Sequence, residues 1–210
     1  MTNAASRTYA ESFVTEHPVT ASARQRADEL GVEPVSTGAG AALRLLAAAI
    51  DARAVVEVGT GTGVSGLWLL EGMHPEGVLT TVDTEIEHQR AAKRAFTEAG
   101  IASSRARVIT GAARNVLPRL TDGAYDLVFI DADPADYAEL LDEALRLLRY
   151  GGIVVFDDAL HKDRVADPSA RDGESVALRD LGKLVREHDF LTPAVLPLGE
   201  GLLAAVHRPE

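Results

Sequence analysis

The sequence contains no cysteine. Disulfides, thiolate nucleophiles, zinc–thiolate centres and iron–sulfur clusters are therefore excluded, and any metal must be held by oxygen or histidine. Positive charge is also scarce: 21 Lys and Arg stand against 32 Asp and Glu, a formal net charge of −11. Binding a polyanion needs a clustered basic surface, so DNA and RNA are not expected partners. No run of eighteen apolar residues occurs, and the opening MTNAASRTYAESFVTEHPV has no apolar segment behind a basic one. Neither a membrane span nor a secretory signal is read, and a soluble cytoplasmic protein is expected. What the chain does have is a 46% hydrophobic content over 210 residues. That suffices for one sizeable core and is too short for two full α/β units. A single domain over 1–210 follows, with helices over 1–50 and an α/β core over 51–210.

Short apolar runs alternate with stretches of helical period, the pattern of βαβ units and a doubly wound, mostly parallel sheet. Strands are predicted over 53–58, 78–83, 106–110, 125–131 and 152–157. Helical spacing fills GLWLLEGM, EIEHQRAAKRAFTEAG, ARNVLPRL and PADYAELLDEALRLLRYGG, with Gly100 and Gly151–Gly152 read as C-terminal stops. Residues 175–189 give one more amphipathic helix. LTPAVLPLGEGLLAAVHRP reads as two strands about a PLGEG turn, hence an antiparallel pair.

The stretch VVEVGTGTGVSGLWLL places Gly59, Gly61 and Gly63 where a strand turns into a helix, and glycine there lets the backbone approach a ligand closely. Asp83 ends the next strand, where a carboxylate can accept hydrogen bonds from both ribose hydroxyls of an adenosine. A nicotinamide dinucleotide or S-adenosylmethionine would fit such a site. Glu57 favours the second, because a carboxylate two residues before Gly59 would repel a pyrophosphate but support the amino group of a methionine moiety. A different problem is posed by VVFDDAL, in which a buried strand ends in two adjacent carboxylates, Asp157 and Asp158. Burying both unpaired is costly, so a solvated loop, a basic partner or a cation must face them.

Taken in order, EVGTGTG, TTVD, TGAARNVLPRL, YDLVFIDAD and VVFDDAL resemble the cation-dependent O-methyltransferases, the catechol and caffeoyl-CoA family, and in particular its small bacterial members. The resemblance covers about residues 35–208 and implies a Rossmann-like class I methyltransferase with a seven-stranded sheet. It implies that Glu57, Gly59, Gly61 and Ser65 line the methionine end, with Val35 of EPVSTGAG beside it, Asp133 near the amino group and Asp131 also at the cofactor. Asp83 would bind ribose, and Gly111 and Ala112 would flank the adenine. It also implies a divalent cation, Mg²⁺ before Mn²⁺ or Ca²⁺, held by Asp131, Asp157 and Asp158, which answers the question VVFDDAL poses. The acceptor would be a small hydroxylated aromatic, catechol-like, and the assembly a homodimer.

Two departures stand out. Asp158 replaces the family's Asn, which adds negative charge at the ion, and Pro134 replaces the lysine held to deprotonate the acceptor. Asp131 and Lys162 are then the catalytic candidates, with His161 another base to weigh; a plain surface lysine is the duller reading of Lys162. The alternatives are a metal-independent small-molecule methyltransferase and a cofactor-binding protein with little catalysis. A dehydrogenase suits neither Glu57 nor the terminal antiparallel pair.

Overall fold

The computed structural model describes residues 4–208; the outermost residues of the expected domain, 1–3 and 209–210, lie outside them. Three helices come first: α1 (Ala4–Ser12), α2 (Pro18–Leu30) and α3 (Thr37–Ala49). Their ends are set locally. Pro18 opens α2, Gly31 closes it at φ +68°, and the Ser36 hydroxyl caps α3 by accepting from the Ala39 N–H at 3.1 Å. Then follow β1 (Ala54–Val58), α4 (Val64–Gly72), β2 (Val78–Asp83), α5 (Ile86–Glu98) and β3 (Ala106–Thr110). The second half runs α6 (Ala113–Val116), β4 (Tyr125–Ile130), α7 (Tyr137–Leu147), β5 (Leu148–Phe156), α8 (Gly173–Glu187), β6 (Leu191–Leu196) and β7 (Leu202–His207). No helix among the described residues is long and apolar enough to cross a membrane.

The seven strands form one sheet in the order β3-β2-β1-β4-β5-β7-β6. The pairings from β3 through β5 are parallel, and β7 runs antiparallel to both β5 and β6. Strand alternation divides the core between the two faces. Leu127 and Phe129 of β4 face α3, α4 and α5, packing with Leu43, Trp68 and Phe96. Val128 and Ile130 face α7 and α8, packing with Tyr137, Leu147 and Leu181. The chain leaves β1 toward β2 and returns beyond it at β4. This reversal opens a crevice at the carboxyl ends of β1 and β4, where open α/β sheets bind ligands.

The predicted strands and the antiparallel ending match the observed ones to within a residue or two, except at the start of β5. Gly100 stops α5 as expected, at φ +70° and with its N–H on the Thr97 carbonyl. Gly151 and Gly152 do not stop α7, which ends at Leu147 with β5 beginning immediately. The register explains their presence. Tyr125 pairs with Leu148 but Leu127 pairs with Ile153, so β5 carries extra residues at this point. Gly151 takes φ +75°, and a Cβ on Gly152 would lie 3.0 Å from the Arg149 carbonyl oxygen, so both glycines serve the bulge. ARNVLPRL is likewise shorter as α-helix than its spacing suggests: one turn of α6 passes into a 3-10 turn over Leu117–Arg119 at Pro118.

Candidate active site

At the end of β1 the backbone turns through Gly59, Gly61 and Gly63 at φ +94°, +47° and +90°. A Cβ on Gly59 would lie 2.0 Å from the Asp131 carbonyl oxygen, so the loop crosses the end of β4 at a distance that excludes any side chain. The Gly61 N–H donates to Asp83 Oδ2 at 3.0 Å and the Glu85 N–H to Oδ1 at 2.8 Å. Two backbone donors thus aim the Asp83 carboxylate and leave lone pairs for a ligand.

Above this turn lies a cavity of about 430 Å³. Val35, Gly59, Gly61, Ser65 and Asp83 line it, together with Gly111, Ala112, Asp131 and Asp133. Nine residues expected there from α3's approach and four different strand ends are therefore brought together. Glu57 is not on the lining. It points from β1 into the α4 face of the sheet, fully buried, and its Oε1 accepts from the Ser65 hydroxyl at 2.6 Å. Its Oε2 is buried without a hydrogen-bond partner. Burial pushes the Glu57 carboxyl up to about 7; the Ser65 hydrogen bond and then the nearby Thr81 hydroxyl, itself paired with Thr60 Oγ1 at 2.7 Å, oppose the rise. An unsatisfied acceptor one side chain below a glycine-cradled cavity suits a ligand that brings positive charge and hydroxyl donors, as an adenosine with an aminoacyl tail does.

The three candidate metal aspartates follow the ends of β4 and β5. Burial, then the charges of Asp158, Glu57 and Asp83, push Asp131 up to about 7. Asp157 is 7% exposed and is pushed well above the usual carboxylate range by burial and then by Asp131 and Asp158. Asp158 stands at φ +59° and is raised by burial and by Glu200 and Glu33. Repulsion of this kind is what a cation relieves, and the all-oxygen donor set fits a hard ion. The side chains are nonetheless not drawn into a cage: among the described residues no group of three or more His, Asp or Glu is placed to hold an ion. One Asp157 oxygen is engaged locally, accepting from the Asp158 N–H at 2.9 Å.

Lys162 lies on the outer rim, not on this cavity. Its side chain is 64% exposed, its Nζ is 3.9 Å from Glu33 Oε2, and it borders a separate cavity of about 220 Å³ with Arg7 and Glu200. His161 Nε2 is 3.3 Å from Glu174 Oε2. Pro134 begins a 3-10 turn that Asp133 caps by accepting from the Ala135 N–H at 2.9 Å, so proline here shapes the rim. Other residues at the site escaped the sequence reading. His88 places Nδ1 3.4 Å from Asp83 Oδ2, Glu33 lines the cavity, and Tyr137 bridges the ends of β4 and β5 through the Ala132 N–H and the Asp157 carbonyl, 3.4 Å each. Only for Tyr137 was there a local signal, an aromatic at the start of an apolar helical face.

A doubly wound sheet with an antiparallel end, and a glycine turn facing an acidic strand end across the switch point, is the architecture of a Rossmann-like methyltransferase. The chain belongs to the O-methyltransferase family: the family model of that description matches residues 6–208. A Mycolicibacterium smegmatis protein, itself named only provisionally as an O-methyltransferase, is 53% identical over 199 residues, 95% of each chain. Among solved structures, a Corynebacterium glutamicum protein superposes with a TM-score of 0.90 at 36% identity, covering 97% of this chain and 96% of that one. The O-methyltransferase TomG of Streptomyces achromogenes, involved in tomaymycin synthesis and solved in complex with SAM, gives 0.87 at 28% identity over 99% and 97%.

Proposed function

We propose that the chain, acting as one domain, transfers the methyl group of S-adenosylmethionine to a hydroxyl of a small, catechol-like aromatic with the help of a divalent cation, Mg²⁺ above all. The observation that carries this reading is Glu57 Oε2, buried without a partner beneath a cavity whose rim holds Asp83. When bound, S-adenosylmethionine supplies a sulfonium methyl open to in-line displacement. Asp83 would hold the ribose, and Glu57, through Ser65 or directly, would balance the amino group. Gly59 and Gly61 let the backbone close on the ligand, which excludes water and fixes the methyl's direction.

Asp131, Asp157 and Asp158 would hold the cation, which when bound would template two vicinal hydroxyls and lower the pKa of the attacking one. With Pro134 at the usual lysine position and Lys162 on the rim, Asp131 is the acid of this set that also borders the cofactor cavity. In the metal-independent alternative Asp131 itself would take the acceptor's proton. Exposed Tyr9 (67%) and Phe13 (70%) support a homodimer, which light scattering at micromolar concentration checks.

Calorimetry with S-adenosylhomocysteine and with NAD, then turnover of labelled methyl donor on a panel of catechols with and without chelator, tests the reading. Binding of NAD alone overturns the cofactor. Binding of S-adenosylhomocysteine with no turnover on any acceptor leaves a cofactor-binding protein, and turnover untouched by chelator leaves the metal-independent enzyme.

A further inference from the structure

Of the residues of α1, Glu11 alone is not exposed, and none is buried. The helix therefore has almost no apolar hold on the body. Instead, Glu11 reaches two distant backbone donors: Oε2 accepts from the Gly38 N–H at 2.8 Å, in the first turn of α3, and Oε1 from the Gly199 N–H at 2.6 Å, in the turn between β6 and β7. A carboxylate on a helix's first-turn amides is favoured by the helix dipole as well as by the hydrogen bond. Gly38 makes room for it, since a Cβ there would lie 2.6 Å from Glu11 Oε2.

The turn that Glu11 holds carries the segment beyond Asp157. The Glu200 carbonyl accepts from the Leu160 N–H at 2.7 Å and the His161 N–H at 3.2 Å. The Glu200 carboxylate accepts from the Lys162 N–H at 2.6 Å, and the Gly201 carbonyl from the Ala159 N–H at 2.9 Å. This segment needs such support, because Asp158, His161, Lys162 and Asp163 all have positive φ, between +44° and +63°. Non-glycine residues stay in that region only when their surroundings over-determine it.

We propose that Glu11 is a positioning residue for the acceptor side: it ties α1 and α3 to the β6–β7 turn, and the turn in that place holds residues 158–163 in the conformation that methyl transfer uses. The mechanical part stands on the hydrogen bonds alone; the consequence for the acceptor rests on the methyl-transfer reading. Hydrogen–deuterium exchange on the full chain separates the two. Glu11→Ala removes the carboxylate, and Gly38→Ala displaces it while leaving it in the sequence and improving helix propensity in α3, so a folding defect common to both is not expected. In both variants the amides of residues 160–162 exchange about tenfold faster or more, while those of residues 57–65 and the Kd for S-adenosylhomocysteine stay within about twofold of wild type. With an active catechol such as 3,4-dihydroxybenzoate, acceptor KM rises more than kcat falls. Unchanged exchange at 160–162 in both variants overturns the proposal, as does a parallel loss of S-adenosylhomocysteine affinity. A wild type that methylates no catechol defeats the catechol reading of the acceptor instead, and the exchange rates then decide the mechanical claim.

Discussion

Glu57→Gln should make the protein without cofactor less sensitive to pH while weakening its hold on the cofactor. Burial raises the Glu57 carboxyl from 4.5 to about 7, so between those values the folded state binds a proton that the unfolded state has released. Stability then falls as pH rises through this window and stays low above it, the opposite of a salt-bridged acid. With each pH unit worth about 1.4 kcal/mol, the ionised form costs the fold about 3 kcal/mol at pH 8 and little at pH 5. Glutamine removes that cost. Its amide brings a penalty of its own for hydrogen bonding beside Ser65, but this penalty is common to both pH values and cancels in the difference. Removing the Glu57 charge also lets Asp131 ionise more readily, which acts in the same direction. Urea unfolding of both proteins at about pH 5 and pH 8 should show the variant gaining about 3 kcal/mol on wild type between the two. S-adenosylhomocysteine affinity at pH 8 should meanwhile drop by about 1–3 kcal/mol, since the carboxylate's partner is lost. A relative gain under about 1 kcal/mol would show that Glu57 is solvated or already paired, and the reading of it as an unsatisfied charge would fail.

Asp83→Ala should weaken S-adenosylhomocysteine binding by about 1–3 kcal/mol in calorimetry, and unchanged affinity would remove ribose from its role. Gly59→Ala forces a methyl into the Asp131 carbonyl at a positive φ and should cost about 4 kcal/mol, a Tm drop on the order of 10 °C; a melting curve like the wild type's would contradict the crossing. Added Mg²⁺ should raise Tm saturably, and Asp131→Ala or Asp157→Ala should abolish the rise together with methyl transfer. Asp158→Asn should keep the rise at higher Mg²⁺ concentration, with turnover equal or faster. No shift with Mg²⁺, Mn²⁺ or Ca²⁺, combined with chelator-resistant turnover, would dispose of the metal.

Much of the architecture is written in short-range pattern. Strand and helix periods, the GTGTG turn and the PLGEG hairpin depend on residues a few positions apart, so the parallel sheet and its antiparallel end are legible before any packing is known. The same holds for Gly59, Gly61 and Asp83 at the cofactor cavity, because doubly wound connectivity brings such strand ends together, whereas Val35, Ser65, Gly111, Ala112, Asp131 and Asp133 are legible only through the family resemblance. Where two long-range effects compete, local pattern misleads. Gly151 and Gly152 look like a helix stop because the β4–β5 register shift that needs them is invisible along the chain. Glu57 is legible as a polar residue in a strand, but its depth, and with it the raised pKa, comes from α4 closing over that face. The direction in which the Asp157 carboxyl points, and the separation of Lys162 from the cavity, were decided by the positive-φ path after β5. Glu11 is the extreme case: its partners lie 27 and 188 residues away, and nothing in AESFVTE announces them. A carboxylate's chemistry is set by composition, whereas its partners are set by which distant backbone amides the packed chain leaves unpaired beside it.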